Sequence, residues 1–388
     1  MTIKGKAIFG AFLYAASIIC GCTREENTQA KYIFLMIGDG MGASHVAATE
    51  SYLSYKAGKN GGEQLTCTTF PVYGTCTTHS ANKHITCSSA SGTAIATGVK
   101  TNNNMLGVDP EGNPLKSMAY ALKEQGYRIG ITSSVPVNHA TPAAFYANSN
   151  SRHDYYSIAL QIPASNFDFF AGSALIDRNG ADGDKETMDD VLEREGYDVC
   201  YGVSELKESS DTDGVVLLSP SQRSRALNYE VKYDEKDDTS AEVLQAAIDF
   251  LGENDPFFIM YEGGEIDWAA HSNNLNSTIE SIMRFDDAIK VAYEFYLRHP
   301  DETLIIVTAD HETGGIALGG QAHHYELRWE NLDADGKDSA DVSRDVNIGW
   351  TSDTHTGGPV PVFAIGKGAE RFSGRMDNTD FYGKIVLK

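Results

Sequence analysis

Unbroken apolar runs, each closed at once by glycines or by residues of metal-binding type, recur along this 388-residue chain. Lys31–Ile37 (KYIFLMI), Pro256–Met260 (PFFIM), Thr303–Ala309 (TLIIVTA) and Val360–Ile365 (VPVFAI) lack the alternation of a half-exposed strand. They read as strands covered on both faces. Tyr127–Thr132 (YRIGIT) is a further strand. Helical spacing predicts helices over Ala43 to about Tyr55, Pro114–Gly126 and Asn274 to about Tyr296, with another reaching Arg152 after His139–Ala144. From about residue 160 to 255 the alternation continues through Phe167–Phe170, Met188–Gly196, Val215–Leu218 and Ser240–Leu251, and no chemistry is legible there. The polar stretch 321–350 is expected to loop out, with His323 and His324 either on the surface or flanking the pocket. Strands alternating with helices, without an internal repeat, predict an α/β fold: one doubly wound domain whose mostly parallel central sheet carries helices on both faces.

Composition narrows the function more than the fold. Hydrophobic content is 41% and charged content 22%, the profile of a well-cored globular protein. A net charge of -23 argues against nucleic acid or an anionic membrane surface as the main partner. It would also repel an anionic substrate unless bound cations or a focused arginine reversed the local potential.

The first residues read as an address rather than as fold. Lys4 and Lys6 precede a 13-residue apolar run, Ala7–Ile19, too short to span a bilayer. Ile19–Cys22 (ICGC) resembles a bacterial lipobox with Cys22 as the lipidated residue; the other reading is a plain secretory signal with two incidental cysteines. Residues 1–21 are thus expected to be a signal peptide of lipoprotein type, 22–30 a polar tether and 31–388 a single catalytic domain. Export follows, to the periplasm or to a membrane-anchored state. Cys67, Cys76, Cys87 and Cys200 remain for an oxidising compartment; they allow three pairings, with Cys67 and Cys76 nearest in sequence.

Candidate chemistry gathers at the strand exits. After Pro256–Met260 come Glu262, then Asp267 and His271, which on a helix share one face at i, i+4 spacing. A carboxylate and an imidazole so placed suit zinc, or make an ordinary surface pair. Asp39 follows the first strand inside Gly38–Gly42, either as a metal ligand or in a nucleotide-type glycine turn. Asp310 and His311 close Thr303–Ala309, and His355 precedes Val360–Ile365. Ser88, opening a stretch of small residues, is either a helix N-cap or a nucleophile at an anion-favouring helix start. Thr141 is either a turn threonine or an oxygen offered to a hard cation, and Arg152 either a surface arginine or a planar fork for two phosphate oxygens.

Taken in order, Gly38–Gly42 (GDGMG), Ser88 with Thr97–Thr101 (TGVKT), Ala140–Ala144 (ATPAA) with Arg152, Glu262–His271, Thr308–His311 (TADH) and His355–Gly357 (HTG) make the chain resemble the alkaline phosphatases over nearly its whole mature length. The resemblance implies one zinc held by Asp267, His271 and His355. It implies a second zinc on Asp39, Asp310 and His311, touching Ser88, and a magnesium, or another divalent ion in its place, on Asp39, Thr141 and Glu262. It further implies hydrolysis of phosphate monoesters through a phosphoserine on Ser88, with Arg152 gripping the phosphate, and often a homodimer. Cys87 stands where many members carry an aspartate that orients this arginine; His139 and Trp268 stand where some bacterial members carry an aspartate and a lysine, near the third metal and the phosphate. Two competing expectations are hydrolysis of phosphodiesters, phosphonates or sulfate esters on the same fold, and a lipoprotein that binds zinc or phosphate without turnover.

Overall fold

A computed structural model describes residues 29–208, 212, 214–222, 234–319, 325–332 and 339–387. The expected signal peptide (1–21), Cys22 with the rest of the expected tether up to residue 28, and His323 and His324 lie outside the described residues.

Fourteen strands form among the described residues: β1 (Tyr32–Gly38), β2 (Val72–Thr77), β3 (Arg128–Ser133), β4 (Phe169–Gly172), β5 (Tyr197–Tyr201), β6 (Gly214–Leu218), β7 (Phe257–Gly263), β8 (Thr303–Thr308), β9 (Glu312–Thr313), β10 (Ala317–Leu318), β11 (Ile348–Gly349), β12 (His355–Thr356), β13 (Val360–Gly366) and β14 (Gly374–Asp377). Ten of them make one sheet in the order β14-β2-β13-β8-β1-β7-β3-β4-β6-β5. Every position of β1, β7 and β8 is buried, so the sheet is covered on both faces where the apolar runs predicted it. The helix Leu275–Arg298 supplies part of that cover: Phe295 packs against Phe34 and Phe257 with ring centroids 5.5 and 5.4 Å apart.

Strand direction delivers the site. β1 pairs in parallel with β7 and β8, and β7 with β3, so four carboxyl ends meet at one edge. The register puts Gly38 opposite Gly263, and Glu262 opposite both Ile37 and Ser133. β13 alone runs antiparallel to its neighbours β2 and β8. Its reversal brings its amino end, and therefore His355 just before it, to that same edge.

Several expectations need correction. The helix predicted over Pro114–Gly126 covers only Met118–Glu124. Pro114 instead bridges Val108, and the Leu115 N–H donates to Gly107 O at 2.8 Å. No helix reaches Arg152: Ala140–Ala143 forms a single turn, and Ser149 exchanges two backbone hydrogen bonds with Leu106. Those bonds hold the chain extended in front of Arg152. The 321–350 region does not simply loop out, since its described part contains the helix Ser339–Val346 and a second apolar cluster. Trp329, Leu332, Val342, Val346 and Ile348 pack there against Ala48, Leu275 and Ile279. Cys67, Cys76, Cys87 and Cys200 are all free thiols, so no expected pairing is made among the described residues. No described helix is long and apolar enough to cross a membrane.

Candidate metal centre and nucleophile

The edge where β1, β3, β7 and β8 end collects every site residue singled out from the sequence. β7 ends on Glu262 and Gly263, and the helix Glu265–His271 starts after Gly264. A Cβ at Gly264 would lie 2.6 Å from Val135, which is why a glycine makes this tight exit. The short helix then places Asp267 and His271 on one face as its spacing predicted, with His271 Nε2 3.4 Å from Asp267 Oδ2. His355 completes this first pocket, its Nε2 3.6 Å from Asp267 Oδ1 and 3.2 Å from His271 Nε2. The outer nitrogens of both imidazoles are held by backbone carbonyls: His271 Nδ1 by Asp353 O at 2.7 Å, His355 Nδ1 by Thr86 O at 2.9 Å. Two ring nitrogens turned towards each other and a carboxylate suit a shared cation.

A second pocket adjoins it. His311 Nε2 lies 3.3 Å from both Asp39 Oδ1 and Asp310 Oδ2, and 3.2 Å from Ser88 Oγ. Ligand atoms of Asp39, Asp267 and His311 lie within 4.8 Å of one another, so Asp267 stands between the two pockets rather than in the first alone. Ser88 is the first residue of the helix Ser88–Thr97, with Cys87 before it in the cap position. The N-cap reading of Ser88 is thereby excluded. A third group holds Asp39, Thr141 and Glu262: Thr141 Oγ1 is 3.5 Å from Asp39 Oδ2, and Ser133 Oγ donates to Glu262 Oε2.

Burial and like charge dominate the electrostatics. Desolvation, reinforced by Asp310 and Asp267, pushes the Asp39 carboxyl well above the usual range. Burial likewise raises Glu262 and Asp310 to about 7. Burial works against ionisation of Asp267 too, but a hydrogen bond from His271 and the facing His355 hold its carboxyl below the usual range. His311 is pushed well below the ordinary imidazole value by desolvation, then by His355. Asp39 Oδ1, Asp310 Oδ2 and Glu262 Oε1 are buried without a hydrogen-bond partner. Buried carboxylates with orphaned oxygens, facing neutral imidazoles, are costly by themselves and are satisfied by divalent cations. The donor set fits zinc at the two histidine-bearing pockets and a hard ion at the all-oxygen one.

Among the described residues Arg152 makes no ion pair with a carboxylate. Its Nη2 lies 3.1 Å from His139 Nε2, and its Nε is buried without a partner. Burial, then the Arg152 charge, lowers His139 to about 3, so its Nε2 accepts from the guanidinium. His139 in turn packs edge-on against Trp268, ring centroids 6.0 Å apart. Cys87 engages main chain instead of Arg152: its Sγ accepts from the Asn104 N–H at 3.2 Å and touches Ser89 Oγ at 3.2 Å. Sequence reasoning missed Ser133 and Thr313, hydroxyls that touch Glu262, Asp267 and His311. Both sit at strand exits next to residues already suspected, and that position was the available signal.

The fold and the cluster define a class: α/β proteins with a candidate metal centre at the carboxyl edge of the sheet, beside a serine at a helix start. The alkaline phosphatase family model matches residues 30–177, 169–337 and 328–387. Alkaline phosphatase 4 of Bacillus subtilis is 32% identical, over 94% of this chain and 90% of its own. The solved alkaline phosphatase of the Antarctic bacterium TAB5 is 29% identical with a TM-score of 0.77, covering 92% of this chain and 98% of that one. A variant of that enzyme with a histidine changed to aspartate, solved with Mg bound in its M3 site, is also 29% identical, with a TM-score of 0.76, over 92% of this chain and 97% of that one. The chain belongs to the alkaline phosphatase family and is a phosphatase. Family membership implies divalent metal ions and phosphate monoester substrates.

Proposed function

We propose that this centre hydrolyses phosphate monoesters through a phosphoserine on Ser88. Asp267, His271 and His355 would hold one zinc, and Asp39, Asp310 and His311 a second. Asp39, Thr141 and Glu262 would hold magnesium, or another divalent ion in its place. The observation that carries the reading is Ser88 Oγ, 3.2 Å from His311 Nε2 at the start of a helix and beside the carboxylate cluster. When bound, the cations supply Lewis acidity and positive charge to the entering and leaving oxygens.

The chain's own groups do the rest. Ser88 Oγ attacks phosphorus in line, the P–O bond to the alcohol breaks opposite it, and the alcohol leaves with a proton. Water then attacks the phosphoserine from the vacated side, releasing phosphate and restoring the Ser88 hydroxyl. The amide dipoles of the helix Ser88–Thr97 favour the anion at its start. The Arg152 fork takes two non-bridging oxygens. Trp268 and His139 wall the site behind that arginine. The N-terminal sequence supports export and a lipid anchor at Cys22, and the family resemblance supports a homodimer.

Comparison of nitrophenyl phosphate with bis-nitrophenyl phosphate tests the substrate class. The monoester is expected to be preferred by at least roughly 100-fold, the scale on which a polar site built for one charge state discriminates. Equal or faster turnover of the diester would overturn the monoester reading.

The partnership of Arg152 makes a second expectation. With His139 its one side-chain partner among the described residues, the guanidinium is less firmly aimed than one paired with a carboxylate. Cys87→Asp should tighten inhibition by inorganic phosphate about tenfold, one charge-assisted hydrogen bond's worth of positioning. An inhibition constant unchanged by the substitution shows that Cys87 does not limit Arg152.

A further inference from the structure

Thr313 lies where the segments that carry His271, His311 and His355 meet. It is fully buried, two residues beyond His311 on β9. Its hydroxyl lies 2.5 Å from Asp267 Oδ1 and 3.2 Å from His311 Nδ1. Its backbone N–H donates to Gly40 O at 3.1 Å, tying it to the turn that carries Asp39. Across the β9–β12 pair its Cα partner is His355. Gly40 is shaped to admit it: the backbone there has φ +73°, and a Cβ would come within 2.8 Å of Thr313 Oγ1.

Hydrogen-bond arithmetic settles the direction of each contact. A threonine hydroxyl has one proton and two lone pairs, and an ionised carboxylate only accepts. The proton therefore goes to Asp267, leaving the oxygen as acceptor for His311 Nδ1–H. No other hydrogen bond to Nδ1 is made among the described residues. With Nδ1 protonated, the lone pair of His311 sits on Nε2, the atom facing Ser88, Asp39 and Asp310. A hydroxyl removed from this place would take one orienting contact from the His311 imidazole and one from the Asp267 carboxylate, in two different pockets.

We propose that Thr313 is a positioning residue that couples the two zinc pockets, fixing the ligating nitrogen of His311 and one oxygen of Asp267 through a single hydroxyl. The inference rests on the metal assignment made above. It predicts that loss of the hydroxyl loosens both ions together, although only one residue has changed. Outer partners of metal ligands are typically worth about 10- to 100-fold in metal affinity.

The test is zinc release from loaded full-length protein into a chromophoric chelator, with elemental analysis of stoichiometry and circular dichroism as a check on the fold. Thr313→Val keeps the shape and removes the hydroxyl; Thr313→Ala does the same without any packing demand, should the valine variant not fold. Both are expected to release two zinc equivalents about 10- to 100-fold faster than wild type. Thr313→Ser should release them at the wild-type rate. In isotope-labelled, zinc-loaded wild type, His311 should carry its proton on Nδ1. Zinc held as tightly by Thr313→Val and Thr313→Ala as by wild type, or only one equivalent loosened, sinks the coupling. So does Thr313→Ser as labile as Thr313→Val, which would make the role one of packing. A wild-type protein that takes up no zinc removes the metal assignment itself, and the coupling with it.

Discussion

Ser88→Ala is expected to lose turnover of nitrophenyl phosphate by on the order of 10⁴-fold or more, while keeping its metal ions. The size follows from how the neighbouring hydroxyls are spent. Ser91 Oγ donates to Asp310 O at 2.6 Å, Ser89 Oγ lies on the Cys87 sulfur, and Thr141 Oγ1 faces Asp39. Ser88 alone offers a hydroxyl to both the second pocket and the start of its helix. Without it the reaction falls back on direct attack by water, which keeps the electrostatics of the site but loses covalent catalysis. Steady-state rates beside acid-quenched trapping of phosphoprotein decide the matter. A variant keeping more than roughly a tenth of wild-type turnover, or still trapping phosphate, would mean that another residue carries the phosphoryl group.

Exhaustive chelation is expected to bring turnover to background and to lower the melting temperature by roughly 5 °C or more, both reversed by zinc with magnesium. Asp39, Glu262, Asp267 and Asp310 share one buried space, and three of them combine a carboxyl raised above its usual range with a buried oxygen that has no hydrogen-bond partner, a set that bound cations would stabilise in its ionised form. An ion bound to the folded state alone, at about 1,000 times its dissociation constant, contributes about 4 kcal/mol. Elemental analysis must show the chelated protein to be empty. Unchanged melting and unchanged turnover in such a sample would refute a catalytic and structural metal centre together.

Legibility in the sequence followed burial. The central strands β1, β7, β8 and β13 are near-continuous apolar runs because both their faces are covered; β1, β8 and β13 were readable to within a residue, whereas β7 runs on through Tyr261–Gly263 beyond its apolar run. The edge side of the sheet was not. β2 (VYGTCT) buries only Gly74 and Cys76 and exposes Tyr73, and β14 (GRMD) buries only Met376, so neither carries an apolar run. The cluster around Trp329 was hidden for a related reason. Its five apolar contributors between 329 and 348 are diluted by polar neighbours and become a core only when Ala48, Leu275 and Ile279 arrive from elsewhere. At the site, ligand types at strand exits were legible because the sheet brings those exits to one edge. The partner of Arg152 was not, because the bond to His139 depends on a loop held by Leu106 and Ser149. Nor was the role of Thr313, which exists only where three separate chain segments meet.

The reversed direction of β13 has a consequence for biogenesis. His355 lies on β12, which pairs with β9 just ahead of β13, the strand laid antiparallel between β2 and β8. A ribosome or translocation channel that still holds this late segment therefore holds a protein whose first pocket lacks one of its three donors. Capture of an ion by all three of these side chains would then be a late event, a seal set on a nearly finished fold rather than a nucleus for it.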